Sequence, residues 1–465
     1  MDECDVKNLK GVTQDSRAVK DGYLFAAIPG SVADGRDYID AAIAAGASHI
    51  LAPRGTVVSS ENVQVIFDDN VRLKFAEYVA DFYGVQPEYV AAVTGTNGKT
   101  STAIFTQQLW DMAGKRSVAM GSLGLQGAIE REFEVTNVPE TVRLHEVLKE
   151  AVDAGVSHLV MEAASHGLHQ YRMHGVQVKV AGFTNLTQDH LDYHDTMEEY
   201  LAAKMQLFTE LLDDDGVAVL NADSDQFDTV KAACPNVISY GRAGKDLKIV
   251  SRTPTAHGQD VTLEIFGEAM DIHFPLAGEF QLMNALCALG MVLAEDRSNA
   301  AVHVKNLEKL TGVPGRLQPA GGGVYVDYAH TPDALETVLR ALKPHAEGRL
   351  ICLVGCGGDR DKTKRPIMAR HASEIADHAI ITDDNPRTED PTTIRAEMIA
   401  GISKDNFEES DDRRAAIEKA VADLRVGDVL LLAGKGHEQG QIFADRVEPF
   451  DDLKIAQEAL AKKEK

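Results

Sequence analysis

The segment Thr94-Gly95-Thr96-Asn97-Gly98-Lys99-Thr100-Ser101 follows the apolar run Tyr89 to Val93 and precedes a helical pattern. In that strand–loop–helix context it reads as a phosphate-binding loop. Glycines bring backbone N–H groups close to phosphate oxygens, Lys99 neutralises terminal phosphate charge, and the Thr100 hydroxyl can ligate magnesium. The strict pattern asks for glycine where Val93 stands, so the loop is a compact variant. The plainer alternative is a tight glycine turn that happens to contain a lysine.

The loop also constrains what surrounds it, because apolar strand-like runs alternate with helical ones from about residue 88 to 312. Ser117 to Met120, His158 to Met161, Val180 to Phe183 and Val217 to Leu220 are the clearest strands. Such alternation gives a mostly parallel sheet in an α/β fold. Before it, residues 1–87 carry short strands and turns, including Asp15-Ser16-Arg17 and Asp34-Gly35-Arg36, and Gln86-Pro87 disfavours helix at the boundary. After it, Gly312 to Arg316 and Gly321-Gly322-Gly323 punctuate the chain. The last third repeats the theme with strands at Leu350 to Val354, His378 to Thr382 and Val429 to Leu432.

At 465 residues, 44% of them hydrophobic, the chain exceeds one ordinary core. A net charge of -25, from 72 acidic and 47 basic side chains, argues against nonspecific attraction to nucleic acid or an anionic membrane. An anionic substrate therefore needs local basic groups. No apolar stretch of about 20 residues occurs. Met1-Asp2-Glu3-Cys4-Asp5 lacks the basic and apolar regions of a secretion signal, so the cytoplasm is the expected compartment. The five cysteines are scattered, and Cys352 and Cys356 read as core thiols.

Several polar clusters follow strands. Glu162 ends Leu159-Val160-Met161 where a magnesium–phosphate site needs an oxygen ligand, although a lone strand-end carboxylate is more often solvated or capping. The segment 184–194 is crowded with oxygen and imidazole groups. It suits a metal–phosphate site with His190 as ligand and His194 as a packing residue, or else a polar loop with Asp turns. Lys204 lies in the helical run Met197 to Leu212, sharing a face with Tyr200 and Phe208. It points inward or snorkels, and spacing alone does not choose. In the last third, Asp327 to Pro332, Gly355 to Asp361, Asp384-Asn385-Pro386-Arg387 and Ala433 to Glu438 all follow strands. Arg360 breaks a dinucleotide fingerprint, which makes a nicotinamide site a weak reading. Arg387 offers a bidentate fork for a carboxylate, or sits exposed in a Pro-containing turn.

Together these segments resemble the Mur ligase family across nearly the whole chain. The match is carried by Thr94 to Ser101, Glu162 with Ser165-His166, Asp189 to His194, Lys204, Asn221-Ala222-Asp223, Val313 to Arg316 and Asp327 to Pro332. Within the family, Asp384 to Arg387 and Gly434 to Glu438 resemble members that add meso-diaminopimelate to UDP-N-acetylmuramoyl-L-alanyl-D-glutamate. Lysine-adding members differ at the first of these places. The resemblance implies three domains, 1–87 for the UDP moiety, 88–312 as an ATPase-like centre and 313–465 as a Rossmann-like amino-acid domain. It implies ATP and Mg²⁺, with Lys204 carbamylated into a magnesium ligand beside His190, Glu162 and Thr100. An acyl phosphate would form on the substrate glutamate and be attacked by the diaminopimelate amine.

By the same resemblance, Gly95 to Ser101, Asn284, Arg316 and Asp327 hold ATP. Ser16, Ser31, Asn137, Val138, Ala164, Gln170 and Arg172 meet the UDP-linked acceptor. Arg360, Asp384, Asn385, Pro386, Arg387, Gly434 and Glu438 hold the amino acid, with Arg on carboxylate and Glu438 on the distal ammonium. A monomer with neither nucleic acid nor membrane as partner is expected. The chain departs from the family at Asn137-Val138-Pro139, which lacks two usual hydroxyls, at Ala164 in place of serine, and at Gln281 in place of asparagine. The rival readings are a related ligase using L-lysine or another amino acid, a P-loop ATPase or kinase that forms no amide, and a noncatalytic scaffold.

Overall fold

The computed structural model describes residues 6–30, 33–131, 138–190, 193–255 and 258–463. The chain divides into two compact units. One comprises Met1–Ile249, Glu264–Glu268 and Met283–Asn306, the other Val250–Leu263, Ala269–Leu282 and Leu307–Lys465.

The first unit opens with four parallel strands, β1 (Gly11–Thr13), β2 (Tyr23–Ala26), β3 (His49–Pro53) and β4 (Gln64–Asp68), in that order. Strand alternation sends Leu24 and Ala26 to the core with Phe75 and Val79 of the helix Val71–Tyr83. It sends Phe25 to the opposite core with Ile39 and Ala42.

The same unit holds a larger sheet of β5 (Tyr89–Thr94), β6 (Ser117–Gly121), β7 (Gly124–Gly127), β8 (His158–Glu162), β9 (Val178–Phe183), β10 (Leu212–Asn221) and β11 (Asn236–Gly241). Their spatial order is β11-β10-β9-β5-β8-β6-β7, and only the β6–β7 hairpin is antiparallel. β5 is covered on both faces, which is why Val90 to Val93 is a continuous apolar run. Register positions the chemistry: Val93 pairs with Glu162 of β8 and Gly182 of β9, so three strand ends emerge side by side. β12 (Leu247–Thr255), β13 (Gly258–Ile265) and β14 (Glu268–Phe274) fall partly in each unit.

The second unit contains β15 (Gln318–Gly321), β16 (Val324–Asp327), β17 (Leu350–Val354), β18 (His378–Ile381), β19 (Phe407–Glu409) and β20 (Val429–Ala433), in the order β15-β16-β20-β17-β18-β19. All neighbours are parallel except β15 and β16. Leu350, Cys352 and Val354 pack with Leu335, Leu339 and Met368, while Ile351 and Leu353 pack with Ile417, Val421 and Ile455. Cys287, Cys352 and Cys356 are buried free thiols, each pushed up to about 12 by burial. Cys4 lies outside the described residues.

The strands follow the apolar runs closely, but the helical run Met197 to Leu212 requires correction. The helix ends at Gln206, Leu207–Leu211 forms a wider π-type turn, and Leu212 begins β10. Tyr200, Lys204 and Phe208 nevertheless share a buried face. Among the described residues no helix is long and apolar enough to cross a membrane.

Candidate active site

The loop after β5 turns directly into the helix Lys99–Met112. Gly95 has φ 145°, and a Cβ there would lie 1.9 Å from Thr184 Oγ1, so only glycine brings β5 this close to the end of β9. Gly98 caps the helix at φ 89°, where a Cβ would stand 2.3 Å from Asn284 Oδ1. Asn284 therefore borders the loop. Backbone groups are tied from the neighbouring strand end: Asn185 O accepts from Thr96 N at 2.9 Å and Asn185 Oδ1 from Asn97 N at 2.9 Å. Thr184 Oγ1 donates to Asn97 O at 2.6 Å.

Two lysines converge on one oxygen. Lys99 Nζ donates to Gly95 O at 2.9 Å and to Thr96 O at 2.8 Å, and Lys204 Nζ donates to the same Gly95 O at 2.8 Å. Lys204 is 1% exposed and lies 4.3 Å from the Tyr200 ring centroid. Burial, reinforced by the Lys99 charge, holds its amine well below the usual lysine range, with Asp189 opposing. Tyr200 is pushed up to about 12, chiefly by burial, and its hydroxyl meets Thr96 Oγ1 at 3.2 Å.

Glu162 is buried at the end of β8. Its Oε1 accepts from Thr100 Oγ1 at 3.0 Å, Ser122 N at 2.7 Å and Ser122 Oγ at 3.1 Å. A carboxylate and a hydroxyl side by side are hard oxygen donors of the kind Mg²⁺ takes, so these residues fit that ion. His190 is more open. Its side chain is 43% exposed, its Nε2 is 3.4 Å from Asp189 Oδ2, and its ring lies 4.8 Å from that of His166. His194 is buried against Tyr200 at 5.3 Å. Among the described residues no group of three or more His, Cys, Asp and Glu side chains is arranged to hold a metal, and Thr100 and Lys204 are of neither kind.

The acceptor-side residues gather in the same unit. Arg172 donates to Val138 O at 3.0 Å and to Gln170 Oε1 at 2.7 Å and pairs with Glu140 at 2.8 Å, while Gln170 donates to the Tyr193 hydroxyl at 3.0 Å. Glu140 also accepts from Gln14 at 2.8 Å, two residues before Ser16, which opens a short turn beside the first sheet. Ala164 caps the helix Ser165–His169. Ser31 and Asn137 lie outside the described residues.

In the second unit, parallel register aligns Asp327, Ala433 and Val354, so the segments that follow share one sheet edge. Arg413 and Asp452, both 0% exposed, form a salt bridge at 2.5 Å. Arg413 also donates to Ala433 O at 3.0 Å and Asp383 O at 3.3 Å, bracing the ends of β20 and β18. Above that brace, Asn385 Nδ2 donates to Glu438 Oε2 at 2.8 Å, and Asn385 Oδ1 accepts from Lys435 Nζ at 2.8 Å and Ile442 N at 3.0 Å. Asp384 is buried beside Gly434. Arg387 takes φ 52° and donates to Gly358 O at 2.9 Å, with Pro386 buried before it. Arg360 is exposed, donating to Asp359 O at 3.1 Å. Arg316 sits 4.9 Å from the Tyr328 ring centroid. Both Asp327 oxygens accept backbone N–H groups, of Leu317 at 2.7 Å and Ala329 at 2.8 Å, and burial pushes this carboxyl up to about 6.

Sequence reasoning assigned no role to Ser122, Asn185, Tyr200 or Lys435. Ser122 has no local signature, since strand register alone brings it to Glu162. Lys435 had one available signal, a lysine between two glycines immediately after an apolar strand.

The chain as a whole has known relatives. The descriptions Mur ligase family, catalytic domain, Mur ligase middle domain, and Mur ligase, glutamate ligase domain match residues 8–83, 93–292 and 315–436. The chain belongs to the Mur ligase family, with the three family domains in order. A UDP-N-acetylmuramoyl-L-alanyl-D-glutamate–2,6-diaminopimelate ligase of Caulobacter vibrioides is 47% identical, over 97% of this chain and 95% of its own length. The protein of that name from Bradyrhizobium diazoefficiens is 45% identical, over 97% and 94%. A solved structure of a ligase so named superposes with TM-score 0.75 at 33% identity, covering 98% of this chain and 96% of that one. The MurF ligase of Thermotoga maritima, solved with ADP, shares the fold at TM-score 0.62 and 20% identity over 99% of each chain.

Proposed function

We propose that this chain is an ATP-dependent amide ligase that joins meso-diaminopimelate to UDP-N-acetylmuramoyl-L-alanyl-D-glutamate in peptidoglycan precursor synthesis. The observation that carries the reading is the Gly95 carbonyl, on which Lys99 and Lys204 converge beside the Glu162–Thr100 pair. Two ammonium groups on one buried oxygen repel. A neutral Lys204 amine relieves that repulsion and is the form that captures CO₂, giving a carbamate of carboxylate character.

In the reaction, the substrate glutamate γ-carboxylate attacks the ATP γ-phosphorus, the bond to ADP breaks, and an acyl phosphate forms. Lys99 and the loop N–H groups offset charge developing on the transferred phosphoryl group, and Asn284 flanks the loop. Mg²⁺, held by Thr100, Glu162, His190 and carbamylated Lys204, would neutralise phosphate charge. Arg172 and Gln170, with Ser16, Ser31, Asn137, Val138 and Ala164, orient the acceptor. The diaminopimelate amine then attacks the acyl carbon, phosphate leaves, and a proton is lost as the amide forms. Arg387 and Arg360 answer its distal carboxylate and Glu438 its distal ammonium, which lysine, lacking that carboxylate, satisfies only in part. Arg316 and Asp327 serve the adenosine end of ATP. The domains are 1–87, 88–312 and 313–465, and the protein works as a cytoplasmic monomer.

The test is ADP release with ATP, magnesium and the UDP-linked acceptor, comparing meso-diaminopimelate, L-lysine and no amino acid, with product mass determined. Diaminopimelate-dependent release with a tripeptide product is expected. Lysine-dependent release would overturn the pocket assignment, and release indifferent to acceptor and amino acid would point to an ATPase.

A further inference from the structure

Lys435 is 0% exposed, and nothing in the reaction above uses it. Its Nζ donates to Asn385 Oδ1 at 2.8 Å and stands 3.4 Å from both Asp384 Oδ1 and Glu438 Oε2, with the Phe450 ring centroid at 5.8 Å. Behind it Arg413 pairs with Asp452, and Asp384 and Glu438 act on that guanidinium as well. In direct contact, one ammonium meets the two carboxylates of Asp384 and Glu438. Glu438, with its side chain 31% exposed, is open to a second, arriving ammonium.

The same contacts fix the Asn385 amide. Its oxygen faces two donors, Lys435 Nζ and Ile442 N, and its nitrogen faces Glu438 Oε2, so a flipped amide would set donor against donor and acceptor against acceptor. Without Lys435 the amide keeps one donor, and Asp384 and Glu438 lose the cation between them. Glu438, whose side chain is 31% exposed, then has an open route to solvent.

We infer that Lys435 is a positioning residue that sets amino-acid specificity by holding Asn385 and Glu438 in place for a substrate ammonium. The inference rests on the function proposed above, because that reading gives this pocket to the amino acid.

The unaltered enzyme is assayed first. If it makes no diaminopimelate product the functional reading fails, independently of anything measured on Lys435. Lys435→Met removes donor and charge, whereas Lys435→Gln keeps a donor in case the first variant folds poorly; both are compared with Glu438→Gln and with the Lys435→Gln/Glu438→Gln pair. The expected result is a KM for meso-diaminopimelate raised by about tenfold or more, as losing a charge-assisted contact would give. The KM values for ATP and the UDP-linked acceptor stay near the unaltered ones, kcat changes less than KM, and the preference over L-lysine falls. The paired variant shows less than the product of the single effects, since both act through one contact. An unchanged KM and preference, an equal loss for all three substrates, or fully multiplicative effects would overturn the inference.

Discussion

Lys204 and Lys435 each end inside a core, at 1% and 0% exposure, and their surroundings differ in kind. Among the described residues Lys204 Nζ has one hydrogen-bond partner, a carbonyl oxygen shared with a second lysine, and its amine is held well below the ordinary range. Lys435 has an amide oxygen and two carboxylates within 3.4 Å. Burial does not by itself decide what a lysine is for. On the reading proposed above, the Lys204 amine captures CO₂, while the contacts of Lys435 order its neighbours.

The largest expected effect tests the first half of this contrast. Lys204→Met should lower diaminopimelate-dependent ADP release by about 10³-fold or more, the scale of removing a group that stabilises transferring phosphate. Intact-protein mass under native conditions should show one CO₂ adduct on the unaltered chain and none on the variant. Near-normal turnover in the variant would reduce Lys204 to packing.

Stability should then move in opposite directions for the two residues. The Lys204 pKa is lower in the folded chain than the ordinary 10.5, so between those values the unfolded chain binds more protons and stability rises with pH. In CO₂-depleted buffer, Lys204→Met should therefore raise Tm at pH 7, and the gain should shrink as pH approaches 10.5. Lys435→Met should instead lose about 3 kcal/mol in denaturant unfolding, because it leaves the buried Asp384 carboxylate without the cation beside it. Shifts of the same sign would break the comparison.

The smallest effect sharpens it. Tyr200→Phe removes the hydroxyl that meets Thr96 Oγ1 without touching the ring beside Lys204. It should cost about 1 kcal/mol and raise the KM for ATP severalfold, with the CO₂ adduct retained. Loss of the adduct would mean that the hydroxyl, rather than the ring, conditions the amine.

Much of this was legible in the sequence because the relevant signals are local. The run Tyr89 to Val93 followed by glycines announces β5 and its loop, and alternating apolar runs place β6, β8, β9 and β10. The helix end at Gln206 was hidden, since Leu207 to Leu211 continues a helical pattern and only the geometry shows the wider turn. The direction of Lys204 was equally hidden, because snorkelling and inward lysines share the same spacing. Ser122 reaches Glu162 through strand register, and Lys435 reaches Asn385 from a strand 50 residues away, distances that no short motif encodes.

Arg387 shows what such a pocket asks of the backbone. Its left-handed backbone at φ 52° costs an L-residue roughly 1–2 kcal/mol that glycine would not lose. If Arg387 holds the distal carboxylate as proposed, Arg387→Gly should raise Tm while weakening diaminopimelate binding, so that one position sets stability against recognition.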